Sequence, residues 1–149
     1  MPDIETHNEQ IAARQVWLSR AHARYRDNWS ELLLSSQGLI LQIDVERAFV
    51  AGAWVAVIVL AQSVVEATMR DFITQDYDEK AVSLFEGQKR LNRMRKLRNE
   101  LVHPKSTGAP SLVWRVPGGG FAENHAALEE DAKQAIELML YVIYSQKIA

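Results

Sequence analysis

The stretch AFVAGAWVAVIVLA, Ala48 to Ala61, is the longest unbroken apolar run of the chain when glycine is counted as apolar. Its 14 residues are too few for a transmembrane helix, which needs about 20. Because the run is apolar on every side, we predict a buried helix at the centre of a helical bundle. Its small residues would allow a neighbouring helix to pack closely, and they are Ala48, Ala51, Gly52, Ala53 and Ala56.

Two long helices are predicted in this half of the chain. The central one should run from Asp44, as N-cap, to about Gln75. An earlier one should start between Thr6 and Asn8 and end at SSQG, Ser35 to Gly38, with Gly38 as its stop. Steps of three, four and seven residues define the apolar stripe of the first helix. That stripe consists of Ile11, Trp17, Leu18, Ala21, Tyr25, Trp29, Leu32 and Leu33.

The second half of the chain also has helical patterning. DEKAVSLFEG predicts a short helix capped by Asp78 and stopped at Gly87, and QKRLNRMRKLRNELVH predicts another that ends before Pro104. A long loop with three prolines and a GGG triplet follows, in which SLVWRV could form a short strand or a hairpin arm. The last helix should run from about Glu123 to Gln146, and the acidic EED near its start suits the helix dipole. Its inward side is predicted to be Leu128, Ala132, Ala135, Met139, Val142 and Ile143.

The length indicates one domain, residues 1–149, and the helical patterning predicts an all-α bundle of four to five helices. Apolar residues make up 48% of the chain and charged residues 24%, which is ordinary for a globular protein. Cysteine is absent, which excludes disulfides and thiolate chemistry. The acidic, polar start MPDIETHNEQ is unlike a signal peptide. We therefore expect a cytoplasmic protein without a membrane segment.

Positive charge is concentrated in one segment, Gln88 to Lys105. Seven lysines and arginines stand there against one acid, Glu100, so the segment carries +6. Because the whole chain carries −2, the rest of it carries −8. This distribution indicates a local anion-binding site, with a solvated basic helix face as the structural alternative.

Arg98 is predicted to lie on the apolar side of this basic helix. At 100° per residue it falls in the arc of Leu91, Met94 and Leu97. A guanidinium stays charged in proteins, and its burial without a partner costs several kcal/mol. Arg98 should therefore meet a carboxylate, a bound anion or a polar cleft. Glu66, late in the central apolar helix, is the candidate carboxylate.

His103 should stand at or just past the end of the same helix, because the following proline disfavours helical backbone at that position. A histidine there is usually a favourable cation at the helix terminus. Beside a constrained arginine it becomes a candidate general acid or base. The remaining histidines have no metal-ligand spacing and are predicted to lie on the surface, so neither a metal nor a cofactor is expected. They are His7, His22 and His125.

The stretch RNELVH, Arg98 to His103, resembles the Arg-X4-6-His motif of HEPN domains, in which a polar residue often follows the arginine, as Asn99 does here. The motif stands late in a basic helix, after an alanine-rich apolar helix that carries Glu66, and the resemblance covers about Val45 to Tyr144. It implies a helical bundle that dimerises so that two copies of the motif face one cleft. Many catalytic members of the family are metal-independent endoribonucleases, often toxins or defence proteins.

The resemblance also implies roles for individual residues. His103 would transfer protons, Arg98 would hold the scissile phosphate, Asn99 would orient the phosphate or the imidazole, and Glu66 would position Arg98. Trp114 could stack on an unpaired base, with a core or lid anchor as the alternative. Contacts to the RNA backbone would come from Arg93, Arg95, Lys96 and Lys105.

Three readings of function follow from these residues. The first is a homodimeric ribonuclease, with an antitoxin or another protein as a candidate partner. The toxin branch paired with nucleotidyltransferase antitoxins carries a tyrosine two residues after the histidine, where this chain has Lys105. The second reading is a non-catalytic module that binds a nucleotide or a protein partner through the same cleft. The third is a purely structural bundle in which Arg98 pairs with Glu66 and nothing binds.

Overall fold

The fold is all-α, as predicted. A computed structural model describes residues 3–27, 32–33, 35–70, 77–103 and 112–144, with the backbone alone described for 77–88. These ranges contain five helices of 15 residues or more, one six-residue helix and no strand. The helices are α1 (Ile4–Arg26), α2 (Ser36–Val50), α3 (Trp54–Thr68), α4 (Tyr77–Val102), α5 (Phe121–Ala126) and α6 (Glu129–Ile143).

Helix α1 starts and ends earlier than the sequence predicts. Asp3 is its N-cap, because the carboxylate accepts the Thr6 N–H at 2.7 Å, and hydrogen bonds to Thr6 lower the pKa of Asp3. Leu18 and Ala21 of the predicted stripe are buried, while Leu32 is exposed and lies beyond the end of the helix. Trp29 lies outside the described residues.

SSQG begins a helix rather than ending one, so its interpretation as a stop was wrong. The Ser35 hydroxyl accepts the Gly38 N–H at 3.0 Å, which makes Ser35 the N-cap of α2. Asp44, the predicted cap, lies on the exposed side of α2. Serine competes well for free N–H groups at helix starts, and this local chemistry outweighs the helix-breaking tendency of Gly38.

The single helix predicted across the long apolar run is two helices, α2 and α3. Gly52 has a φ of +74°, its N–H donates to the Phe49 carbonyl at 3.0 Å, and the Ala53 N–H donates to the Ala48 carbonyl at 2.8 Å. These two bonds define a Schellman motif, which ends a helix at a left-handed glycine. Ala51, Gly52 and Ala53 therefore form the turn between α2 and α3, which pack against each other. Gln75, the predicted end of the helix, lies outside the described residues.

Arg14 of α1 covers this turn. Its Nη1 donates to the Val50 carbonyl at 3.1 Å, and the centre of its guanidinium lies 5.0 Å from the centroid of the Trp54 ring. A Cβ atom on Gly52 would come within 3.0 Å of the guanidinium. Because the Val50 carbonyl is in the last turn of α2, Arg14 satisfies an acceptor that the helix leaves open. The turn thus joins α1, α2 and α3.

We expect Gly52→Ala to lower the free energy of unfolding by about 2–3 kcal/mol. A left-handed residue with a Cβ costs about 1–2 kcal/mol, and displacing Arg14 removes a hydrogen bond that contributes about 0.5–1.5 kcal/mol. Urea denaturation measures the change. Gly118→Ala is the matched control, because Gly118 also has a φ of +74° but a Cβ there would meet nothing within 4 Å. Equal losses at both positions would contradict a role for Arg14.

Helix α3 is the central helix, packed against α2, α4 and α6, as predicted for the apolar run. Val57, Ile58 and Ala61 are fully buried. The predicted inward side of the last helix is confirmed, since all six of its residues are buried. Within the described residues, no helix is long and apolar enough to cross a membrane.

Two other helix boundaries differ from the prediction. The helices expected on either side of Gly87 are one continuous helix, α4, because a glycine inside a helix costs only about 1 kcal/mol and does not by itself end it. The helix expected from Glu123 is α5 followed by α6, separated by a turn at Ala127 and Leu128 in which the Leu128 N–H donates to the His125 carbonyl at 3.0 Å. Gln146 lies outside the described residues.

His22 is half-buried and joins three helices, although it was predicted to be a surface residue. One ring nitrogen lies 2.5 Å from a carboxylate oxygen of Glu46 on α2, and the other lies 3.1 Å from the hydroxyl of Tyr144 at the end of α6. Burial raises the pKa of Tyr144, with Arg26 acting in the opposite direction. The phenol therefore stays a neutral hydroxyl at pH 7, suited to hydrogen bonding.

The loop before α5 is held by side chains. Leu112–Val116, the described part of SLVWRV, forms no strand. The buried Asn124 accepts the N–H groups of Arg115 and Val116 at 2.6 and 3.0 Å. The Arg115 guanidinium pairs with the buried Asp131 carboxylate, which therefore has a structural partner beyond the predicted interaction with the helix dipole.

Candidate functional site

A polar cluster joins α3 to α4 around the carboxylate of Glu66. One oxygen, Oε1, lies 3.3 Å from Arg95 Nε, and the other, Oε2, lies 3.4 Å from Arg98 Nη1. The Gln62 amide, one turn earlier on α3, also donates to Oε1 at 3.2 Å. Arg98 Nη2 in turn donates to Asn99 Oδ1 at 3.2 Å. We refer to Gln62, Glu66, Arg95, Arg98 and Asn99 as the Glu66 cluster.

Arg98 lies at the boundary between the core and solvent. Its neighbours on the helix wheel, Leu91, Met94 and Leu97, are buried as predicted, and the Arg98 side chain is 26% exposed. The predicted carboxylate partner is therefore in place. Glu66 is 36% exposed, so it is a half-buried acid rather than the buried one that the sequence suggested. Asn99 is exposed.

The ion pairs of the cluster are long. Charge-assisted N–H···O bonds are usually about 2.7–2.9 Å, whereas the two arginine contacts to Glu66 measure 3.3 and 3.4 Å. Half-exposed pairs of this kind contribute about 0–1 kcal/mol to stability. The ion pairs of the cluster are therefore expected to contribute little to the stability of the fold.

The charges of the cluster do not cancel. Among the residues that the structure describes, one carboxylate faces two guanidinium groups, so Glu66 balances only one of Arg95 and Arg98. Arg93 and Lys96 are exposed on the same helix. The carboxylate of Glu100 is turned to the loop, where it accepts the Leu112 N–H at 2.7 and 2.8 Å. The surplus positive charge is what an anion-binding site requires.

His103 is the first residue beyond α4 and is exposed, as the following proline predicts. Its backbone N–H still donates to the Asn99 carbonyl at 2.8 Å, which fixes it one turn after Asn99. Five positions along a helix correspond to about 7.5 Å between Arg98 and His103 along the axis. One phosphate group and the atoms bonded to it can span this separation. Lys105 lies outside the described residues.

The sequence did not predict that two members of the cluster contact Glu66. Gln62 precedes Glu66 by four residues and is buried, and Arg95 precedes Arg98 by three. Residues three and four apart share one face of a helix, so this spacing was a usable signal. The contact between Arg95 and Glu66 depends on how α3 and α4 pack, which the spacing does not give.

A shallow apolar groove follows the exposed side of α3 and has a volume of about 560 Å³. Val55 and Val59, which line it, each lie about 20° from Glu66 around the helix axis at 100° per residue. The groove therefore runs along α3 on the side that carries the Glu66 cluster. Its lining consists of Ala53, Val55, Ala56, Val59, Leu60 and His125.

Possible metal ligands and comparisons with known proteins both bear on this site. Among the side chains that the structure describes, no three His, Asp or Glu residues are grouped so that they could hold a metal ion. Comparisons with protein-family models, curated proteins and solved structures find no match. The resemblance to HEPN domains therefore rests on the residues of the chain itself.

Proposed function

We propose that the protein is a metal-independent endoribonuclease of the HEPN type. The observation that supports this most is the arrangement at the end of α4, where two arginines share one carboxylate a turn before an exposed histidine. The surplus positive charge suits a phosphate, and the histidine suits proton transfer. The substrate class is RNA, because its 2′-OH supplies an internal nucleophile that DNA lacks.

Arg98 binds the scissile phosphate and stabilises the charge that builds up on it in the transition state. A guanidinium presents its N–H groups in a planar fork that matches phosphate oxygens. Glu66 and Asn99 each contact one terminal nitrogen of Arg98, so they limit its rotation and orient the fork. Such preorganised positive charge is commonly the largest single contribution to catalysis.

His103 transfers protons. A base takes the proton from the 2′-OH, the 2′-oxygen attacks the neighbouring phosphorus, and an acid protonates the departing 5′-oxygen. The products are a 2′,3′-cyclic phosphate and a 5′-OH. One motif supplies one histidine, so two apposed copies of the chain would provide a neutral imidazole as base and a protonated one as acid.

The non-catalytic module remains the second candidate, and one observation favours it. Arg98 and Arg95 meet at one carboxylate, whereas His103 lies past the helix end, about 7.5 Å farther along the axis. The arginines alone are sufficient to bind a nucleotide phosphate. Binding without cleavage is therefore the alternative outcome of the test that follows.

Cleavage of RNA in EDTA tests the proposed function. We expect the purified chain to cut a labelled single-stranded RNA and to leave DNA of the same sequence intact. Activity should persist in EDTA, because side chains supply the acid, the base and the positive charge. Fragments should end in a 2′,3′-cyclic phosphate and a 5′-OH. Loss of activity in EDTA would refute the mechanism, and intact RNA would favour the binding module.

We also expect a homodimer at micromolar concentration, with a mass twice the 16.9 kDa of the chain. The groove on α3 is apolar and lies on the side of α3 that carries the Glu66 cluster, so a second copy seated there would bring the two motifs together. Light scattering measures the mass. Val59→Lys, within the groove, should give monomers without activity, whereas Ile40→Lys on the exposed side of α2 should not. A monomeric wild-type protein would contradict the two-histidine mechanism.

A further inference from the structure

Two large aromatic side chains are exposed next to each other on the surface. Phe121, the first residue of α5, is 86% exposed, and Trp114 is 47% exposed. Their ring centroids are 5.4 Å apart and the ring planes are at 81°, so the edge of one ring meets the face of the other. Single exposed apolar residues are common, whereas exposed apolar side chains grouped together are more typical of interaction surfaces. We refer to Trp114 and Phe121 as the aromatic platform.

The backbone beside both rings is fixed by hydrogen bonds. Next to Trp114, the N–H of Arg115 donates to the buried side chain of Asn124 at 2.6 Å. Next to Phe121, Gly120 donates to Glu123 at 2.9 Å and its carbonyl accepts from the Asn124 amide at 2.9 Å. Asn124 thus holds both sides of the aromatic platform. A ligand that stacks there would bind without having to order the loop first.

The loop also attaches the aromatic platform to the end of α4. Glu100, in the last turn of α4, accepts the Leu112 N–H at 2.7 and 2.8 Å. Trp114 follows Leu112 by two residues, so its Cα lies within about 7 Å of that of Leu112. Glu100 lies three residues before His103 and about 60° from it around the helix axis, whereas Arg98 lies about 160° from Glu100. The aromatic platform is therefore attached to the His103 side of the end of α4.

We propose that the aromatic platform stacks an unpaired base of the RNA, so that the substrate of the Glu66 cluster is single-stranded. This inference rests on the proposed function. Proteins that bind single strands combine a basic track for the phosphates with aromatic rings for the bases, because every base has a π-face. Here α4 supplies the basic track, the loop supplies Trp114 and the start of α5 supplies Phe121. Bases in a duplex are stacked on one another and leave no face for Trp114 or Phe121.

Fluorescence anisotropy with an uncleavable probe tests the inference. The probe is a labelled single-stranded RNA with 2′-O-methyl groups, compared with an abasic strand and a duplex of the same length. We expect Trp114→Ala and Phe121→Ala each to weaken binding of the single strand by about 5- to 100-fold. Binding of the abasic strand and of the duplex should change little. Trp114→Phe should retain most of the affinity, because a ring remains.

The control variant is Ile40→Ala, which removes an equally exposed apolar side chain from α2 and should bind like the wild type. Thermal melting checks that each variant folds. If Trp114→Ala does not fold, Phe121→Ala alone tests the aromatic platform. Wild-type affinity in both aromatic variants, with binding still dependent on Arg98, would refute the platform and leave the proposed function standing. A wild-type protein that binds none of the three strands would refute both.

Discussion

Replacing His103 with alanine should lower the rate of RNA cleavage at least about 100-fold, because general acid–base catalysis contributes about 10²- to 10⁴-fold. The fold and the oligomeric state should not change, since the side chain is exposed beyond the end of α4. Initial rates on a labelled single-stranded RNA measure the loss, and circular dichroism and light scattering check the structure.

The matched control for His103→Ala is His7→Ala, because His7 is also exposed and lies on α1. That variant should cleave RNA at the wild-type rate. Binding of the uncleavable RNA should be nearly the same in the His103 variant and the wild type, because His103 acts on protons and Arg98 acts on the phosphate. A His103→Ala protein with wild-type activity would show that another group transfers the protons.

Arg98→Ala should weaken binding of the uncleavable RNA by about 10- to 100-fold, which corresponds to one charge-assisted contact of about 1.5–3 kcal/mol. The melting temperature without RNA should change little. Glu66 keeps Arg95 as a partner, and a long, half-exposed ion pair contributes about 0–1 kcal/mol. Removing one of the two like charges could even raise the melting temperature. Thermal melting with and without RNA measures both effects.

Lys89→Ala is the charge-matched control for Arg98→Ala. It removes one positive charge from an exposed position of the same helix, so it should reduce RNA affinity much less. A purely structural role for Arg98 predicts the opposite pattern, a loss of stability without a loss of RNA affinity. A large fall in the melting temperature, with no loss of RNA affinity in the folded variant, would establish that structural role.

Two glycines show how far the sequence determines the helix boundaries. Gly87 was predicted to end a helix and lies inside α4, whereas Gly52 was placed inside a helix and ends α2. The residue type is the same, so local preference cannot decide between the two outcomes. At Gly52 the local Schellman bonds are joined by a contact from Arg14, which is 36 residues from the Val50 carbonyl to which it donates. Such contacts between distant residues cannot be read from a local pattern.

The inward faces of the helices could be predicted better than their ends. The apolar spacing of the last helix placed six residues in the core, and all six are buried. Burial of an apolar face is the main source of helix stability in proteins, so apolar residues recur along a sequence with the helical period of 3.6 residues. Where a helix begins depends on single hydrogen bonds such as the one from Gly38 to Ser35.

The sequence predicted only those features of the candidate site that depend on one helix alone. The apolar arc that contains Arg98 predicted that it would need a partner, and Glu66 is in contact with it. The sharing of Glu66 between Arg95 and Arg98 depends on the packing of α3 against α4. Likewise, the contact of Trp114 with Phe121 depends on Asn124, which holds the loop from α5. Both features required the tertiary structure.

The contacts of His22 set an order in which the chain can assemble during synthesis. Helices α2 and α3 are neighbours in sequence and can pack as soon as both have left the ribosome. His22 meets Tyr144 only across 122 residues, and Leu33 donates its N–H to the Ile143 carbonyl at 2.6 Å. Helix α1 is made first but must wait for α6 before its contacts are complete. Until α6 is made, His22 lacks its Tyr144 partner and the Leu33 N–H lacks its Ile143 acceptor, so the packing of α1 is completed only after α6 has been synthesised.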